Sequence, residues 1–182
     1  MNGSSDEAGA EAPAAGTGPG HFGLIWAVKP SFVSYVLRMS DGKVYITGGV
    51  KVSKDNELLF PFDEEAAENP SGTDLDAPGA TFSFRGNVAF QAHFGMLDVR
   101  INRPQLHLRG ADGELTVMDP ESAEGGRLTL VTFSATAPRV EDGVQYCTAD
   151  DVRLTAAGVP LFGDVYPADE PFAPLMIAAP RR

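Results

Sequence analysis

The sequence has only one cysteine, Cys147, among 182 residues. A single thiol rules out an intrachain disulfide, a cysteine-rich zinc site and an iron–sulfur cluster. No run approaches the roughly 20 apolar residues of a membrane span, and the N-terminus lacks the basic and apolar regions of a secretory signal. The absence of a targeting signal predicts a cytoplasmic protein, or alternatively a domain excised from a cell-envelope or secreted protein.

Basic residues are also few, because 14 Lys and Arg stand against 25 Asp and Glu, for a net charge of −11. They are scattered, with only Arg181 and Arg182 adjacent, so the chain has no basic stripe. A phosphate backbone would be repelled, which excludes nucleic acid as the expected partner. The sequence likewise has no Gly-x-Ser-x-Gly elbow, no phosphate-binding glycine loop and no His-x-x-x-His pair. It therefore gives no support for a serine hydrolase, a nucleotide-binding site or a zinc site.

Glycine and proline, in contrast, are plentiful, with 20 and 14 residues. They favour many turns, and period-2 apolar patterns between them favour many short strands. We predict a mainly β fold, an antiparallel two-sheet β-sandwich-like domain with two short helices. Residues 1–20 contain no aromatic residue and are predicted to be a disordered leader. A single domain is expected over residues 21–178, followed by a tail at 179–182.

The first helix is predicted to begin at Pro30, whose missing N–H costs nothing in a first helical turn. Asp41-Gly42 is expected to end it. The following pattern of Val44 to Val52 around Gly48-Gly49 predicts a hairpin or a bulged strand. Residues 63–80 are acidic and without periodicity, which indicates a long mobile loop.

The strongest predicted strand is Thr81 to Ala92, because its apolar residues alternate with polar ones. The next strand begins at Leu97 and has the opposite parity. A bulge or tight bend at His93-Phe94-Gly95 would reverse the parity, with Gly95 taking unusual backbone angles. His93 therefore lies where the sheet redirects a side chain.

Three separated blocks of the sequence resemble the HtaA-type haem-binding domain of actinobacterial haem-uptake proteins, over about Gly23 to Leu175. The opening block carries Trp26, Val28, Lys29, Ser31, Phe32 and Tyr35. The central block carries Phe84, Gly86, Val88, Phe90, His93, Gly95, Leu97 and Asp98. The closing block carries Leu154, Thr155, Gly158, Phe162, Tyr166, Glu170, Pro171 and Pro174.

The resemblance implies a site for ferric haem b, with Tyr35 as the axial ligand of the haem iron and His93 as its hydrogen-bond partner. It also implies that Ser31, Val165 and Tyr166 contact the macrocycle and its propionates. Val165 stands where the family has an aromatic residue. A phenolate oxygen suits ferric iron, and a donor such as His93 would favour the phenolate. Lys29 is expected nearby as a counter-charge for a propionate.

The function implied is haem uptake, transfer or carriage without catalytic turnover, with haem and another haem-transfer protein as partners. Such a family works at the cell envelope, and this chain shows no membrane span. Two alternatives stay open. One is a haem-dependent peroxidase-like enzyme, which would need an acid–base group opposite Tyr35. The other is a haem-free β-sandwich interaction domain that keeps the fold but not the ligand.

Overall fold

A computed structural model describes residues 22–66 and 74–181. The predicted leader at 1–20 and part of the predicted loop at 63–80 lie outside these ranges. The described chain consists mainly of antiparallel strands in two sheets, with one α-helix and two short 3₁₀ turns. This confirms the predicted fold class. No helix in the described ranges is long and apolar enough to cross a membrane.

The strands form a large and a small sheet. In chain order, the elements are β1 (Gly23–Trp26), α1 (Pro30–Arg38), β2 (Lys43–Thr47), β3 (Lys51–Val52), β4 (Leu58–Pro61), β5 (Thr81–Ser83), β6 (Asn87–Ala92), β7 (Leu97–Asn102), β8 (Gln105–Arg109), β9 (Asp112–Met118), β10 (Arg127–Ala135), β11 (Arg139–Glu141), β12 (Val144–Leu154) and β13 (Leu175–Pro180). The large sheet runs in the order β3-β4-β1-β13-β12-β10-β9-β8-β5, with β11 also pairing with β12. The small sheet runs β2-β6-β7.

Both sheets and α1 share one hydrophobic core. Phe32 of α1 makes edge-to-face contacts with Phe90 of β6, at 5.4 Å between ring centroids, and with Phe162, at 5.3 Å. Such pairs add to the stabilisation that burial alone provides. The helix is therefore fixed against the small sheet on one side and the 3₁₀ turn at Pro160–Phe162 on the other.

The prediction that α1 begins at Pro30 is confirmed, and the helix ends at Arg38. Its buried residues Phe32, Val33 and Val36 follow helical spacing, which directs one stripe into the core. Tyr35 lies beside this stripe and is 39% exposed. The helix thus presents a phenol at the protein surface on a rigid base.

The predictions for two segments are wrong, because in each of them the chain passes from one sheet to the other. Residues 81–92 form β5 in the large sheet and β6 in the small one, and β2 and β3 also lie in different sheets rather than in one hairpin. Gly86 has φ 105°, and a Cβ on Gly48 would lie 2.5 Å from the Gly86 Cα. Gly48 and Gly86 lie in the two segments that connect the sheets, and these segments are so close together that only glycine fits at their contact.

Turns and late strands also differ in part from expectation. Asp142-Gly143 forms the turn between β11 and β12, with φ 49° and 79°, as hairpin dipeptides do. Asp112-Gly113, a dipeptide that is also typical of hairpin turns, instead begins β9. The last strand continues to Pro180, and its residues Ala178 and Ala179 are buried while pairing with β12.

Candidate functional site

Tyr35 and His93 meet at the surface between α1 and the small sheet. The Tyr35 hydroxyl lies 2.5 Å from His93 Nε2, although the two residues are 58 positions apart in the chain. Their ring centroids are 5.8 Å apart and their planes are inclined by 44°. A phenol O–H donates to a bare Nε2, whereas a protonated Nε2 donates to a phenolate. The pair can therefore share one proton in either direction.

His93 is directed toward α1 by the turn that joins β6 and β7. His93, Phe94 and Gly95 have φ of 54°, 55° and 87°, three consecutive left-handed residues. The amide of Met96 donates to the His93 carbonyl oxygen at 3.1 Å and closes the turn. The predicted tight bend, with unusual angles at Gly95, is confirmed. Histidine and phenylalanine seldom adopt such angles, which marks the turn as strained.

Tyr166 and Ser31 lie close together at the N-terminal end of α1. Burial raises the pKa of Tyr166, and the nearby Glu170 carboxylate acts in the same direction. The Lys29 ammonium and a hydrogen bond with the Ser31 side chain lower it in part. Because the pKa stays above its ordinary value, Tyr166 is a neutral phenol at physiological pH. It can therefore donate its O–H to an anionic group but is poorly suited to be a phenolate ligand.

Lys29 makes several contacts with the segment that carries Tyr166. Its Nζ lies 2.8 Å from Glu170 Oε1, donates to the Pro171 carbonyl oxygen at 3.0 Å, and sits 5.0 Å from the centroid of the Tyr166 ring. These contacts attach the segment that carries Tyr166 to the start of α1 and keep the ammonium beside a predicted site residue. The role of Lys29 as a counter-charge for a propionate stays a prediction.

We expect Lys29→Met to lower the free energy of unfolding by about 1 kcal/mol, because it removes a cation held by several contacts and leaves Glu170 unpaired. Urea denaturation of both proteins measures the change. Lys43→Met, which removes an exposed lysine, is the matched control and should leave stability unchanged. Equal stability of the two variants would show that Lys29 has no anchoring role.

Large apolar side chains are highly exposed in the two segments that carry His93 and Tyr166. Phe94 is 95% exposed and Met96 is 85% exposed, both in the turn that carries His93. Val165, the neighbour of Tyr166, is 68% exposed. Sequence reasoning missed Phe94 and Met96, although two large apolar residues within a turn were an available signal. The arrangement is an open apolar surface around a phenol–imidazole pair, not an enclosed cavity.

The donor set and its surroundings fit a flat, apolar ligand with a hard metal centre. An oxygen ligand that can become anionic, with an N–H donor beside it, suits ferric iron. Exposed Phe94, Met96 and Val165 can cover an apolar ring, and Ser31 and Tyr166 can donate to carboxylates. The structure thus brings four of the five predicted site residues into two adjoining pairs, Tyr35–His93 and Ser31–Tyr166, with Val165 next in the chain to Tyr166.

A sequence model of the protein family described as Htaa matches residues 22–178. The chain belongs to the HtaA family. This match covers nearly the whole described part of the chain and includes α1, the turn at His93 and the segment that carries Tyr166. A comparison with curated proteins found no match.

Solved structures of HtaA-family proteins from Corynebacterium glutamicum share the fold. The C-terminal domain of HtaA is 24% identical with a TM-score of 0.68, over 87% of this chain and 97% of that one. The N-terminal domain of HtaA is 19% identical with a TM-score of 0.60, over 87% and 96%. HtaB, described as a haem-binding protein, is 17% identical with a TM-score of 0.58, over 87% and 92%.

Proposed function

We propose that this HtaA-family chain binds ferric haem b, with Tyr35 as a tyrosinate axial ligand, and serves haem uptake, transfer or carriage. The observation that carries the proposal is the 2.5 Å contact between the Tyr35 hydroxyl and His93 Nε2 on an exposed apolar surface. The HtaA family match and the description of HtaB as a haem-binding protein support it.

The Tyr35–His93 pair supplies the proton chemistry that an anionic ligand requires. The phenol must lose its proton before its oxygen can bind iron, and His93 Nε2 lies within reach to accept it. The hydrogen bond then persists in the reverse direction, with Nε2–H donating to the phenolate oxygen. Such a partner orients a metal ligand and stabilises its ligating form. Ferric iron, when bound, would supply Lewis acidity that favours the phenolate further.

The other end of the site binds carboxylates with neutral donors. Ser31 and Tyr35 are four residues apart and lie on one helix face, so both can contact a single flat ligand. The Ser31 hydroxyl and the neutral Tyr166 phenol would donate to a propionate, and the N-terminus of α1 adds partial positive charge. Lys29, at this end of α1, is paired with Glu170. Binding through hydroxyl groups at an open surface favours a carrier that must also release its ligand.

The test is an absorption titration of the protein with hemin, followed by resonance Raman spectroscopy. We expect saturation at one haem per chain and a high-spin ferric spectrum with iron–tyrosinate vibrations. Absence of saturable binding would overturn the proposal and leave a haem-free interaction domain. Peroxide turnover well above that of free hemin would instead favour an enzyme.

Replacing His93 with glutamine should weaken haem binding about 10- to 100-fold, the usual effect of losing a partner of a metal ligand. The Tyr35 oxygen would remain, so residual binding with an altered iron–tyrosinate frequency is expected. Competition with apomyoglobin measures the affinity. His107→Gln is the matched control, because His107 bonds Thr81 through Nδ1 at 3.0 Å on the large sheet. Equal affinity of the two variants would contradict the role of His93.

A further inference from the structure

Asp41 lies between the helix that carries Tyr35 and the turn that carries His93. It follows the end of α1 within one turn of chain, where the Gly42 amide donates to the Met39 carbonyl oxygen at 3.0 Å. Its carboxylate oxygen Oδ2 accepts the Phe94 backbone N–H at 2.6 Å. This bond joins residues 53 positions apart and links the end of α1 directly to the turn after β6.

The turn at His93–Gly95 needs such an external contact. Its residues hold left-handed angles, which cost non-glycine residues of order 1 kcal/mol or more each unless the surroundings determine them. Pairing between β6 and β7 ends at Ala92 and Leu97. The bond from Met96 N–H to the His93 carbonyl closes the turn on itself but does not direct it toward α1. The Asp41–Phe94 bond supplies that direction.

The charge of Asp41 agrees with this role. The hydrogen bond from the Phe94 amide is the largest influence and holds the pKa of Asp41 below its ordinary value. The His93 backbone amide and the His93 ring act in the same direction. Asp41 is therefore a carboxylate throughout the neutral range, and bonds from amides to a carboxylate are stronger than bonds to a neutral acceptor.

We propose that Asp41 is a positioning residue of the haem site, which holds the His93 turn against α1 so that Nε2 meets the Tyr35 hydroxyl. The proposal rests on the proposed function for its haem consequence, but its structural part concerns the protein without haem. Two bonds from α1 and its C-terminal turn reach adjacent residues of the 93–95 turn. Asp41 would thereby keep His93 Nε2 beside the Tyr35 oxygen when that oxygen loses its proton.

The experiment compares Asp41→Ala and Asp41→Asn with the wild-type protein, and uses Asp55→Asn, in an exposed turn, as the matched control. In haem-free protein, NMR should place the Phe94 amide proton far downfield and show cross-peaks between the rings of Tyr35 and His93. We expect Asp41→Ala to lose both signals. Asp41→Asn keeps an acceptor oxygen and should retain the ring cross-peaks with a smaller downfield shift.

In the haem-loaded proteins, the rate of haem loss to apomyoglobin should rise about 10-fold in Asp41→Ala and less in Asp41→Asn. A 10-fold change is the lower end of the range for residues that contact a metal ligand directly. The iron–tyrosinate Raman band should shift in Asp41→Ala, which a general loss of stability would not cause. Unchanged ring cross-peaks in Asp41→Ala would overturn the positioning role, whether or not haem binds. Absent haem binding by the wild-type protein would overturn the proposed function alone, because the NMR result would still stand.

Discussion

Tyr35→Phe should reduce the affinity for hemin by at least about 100-fold, the largest functional effect expected in this protein. The substitution removes the one oxygen atom that would bind iron and keeps the aromatic ring on α1. Loss of a ligand partner alone costs 10- to 100-fold, so loss of the ligand itself should reach the upper end or beyond. A 100-fold change corresponds to roughly 2.8 kcal/mol of binding free energy.

The measurement is a hemin titration of both proteins, with resonance Raman spectra recorded at saturation. Tyr45→Phe is the matched control, because Tyr45 is 48% exposed on β2 and loses the same hydroxyl group. We expect Tyr45→Phe to bind like the wild-type protein and to keep the iron–tyrosinate bands. If Tyr35→Phe binds with unchanged affinity and spectrum, then the iron ligand is another residue and the proposed site is wrong.

Phe162→Ala should lower the free energy of unfolding by about 3–5 kcal/mol, the range for phenylalanine truncation in a packed core. The ring of Phe162 is buried and contacts Phe32 of α1 at 5.3 Å, Phe172 at 5.1 Å and Tyr166 at 6.0 Å. All three contacts are edge-to-face. Truncation would leave a cavity between the helix that carries Tyr35 and the segment that carries Tyr166.

Urea denaturation measures this loss. The dependence of the unfolding free energy on urea concentration is compared between the variants. Phe162→Leu fills much of the space and should cost less than half as much, since the surviving methyl groups retain most of the buried area. Phe94→Ala removes a ring that is 95% exposed and should leave the unfolding free energy unchanged. A loss in Phe162→Ala no larger than in Phe94→Ala would show that this aromatic cluster does not hold the site together.

Local features of the fold were predictable wherever short-range chemistry determines them. Pro30 and the spacing of Phe32 and Val36 predict α1, and the parity change between Phe90 and Leu97 predicts the bend at His93. Both follow from the geometry of a single segment, since helical and strand periodicities act within a few residues. The hairpin turn at Asp142-Gly143 is of the same kind.

The strand breaks were not predictable in this way. Apolar and polar residues alternate through residues 81–92, yet the strand in the large sheet ends at Ser83 and the strand in the small sheet begins at Asn87. Gly86 gives the only local signal, and its meaning depends on Gly48, which approaches it from another part of the chain. Periodicity shows which side chains face the core but not which sheet a strand joins, because both sheets share one core.

By itself, the sequence determined the mainly β class, the position of α1, the bend at His93 and the family to which the chain belongs, because each rests on residue type and spacing along the chain. Only the tertiary structure decided which groups touch. It placed the Tyr35 hydroxyl on His93, directed Lys29 to Glu170 instead of leaving it free, and brought Asp41 to the Phe94 amide. Each of these contacts joins residues more than 50 positions apart, and their distances depend on how two sheets and a helix pack around one core.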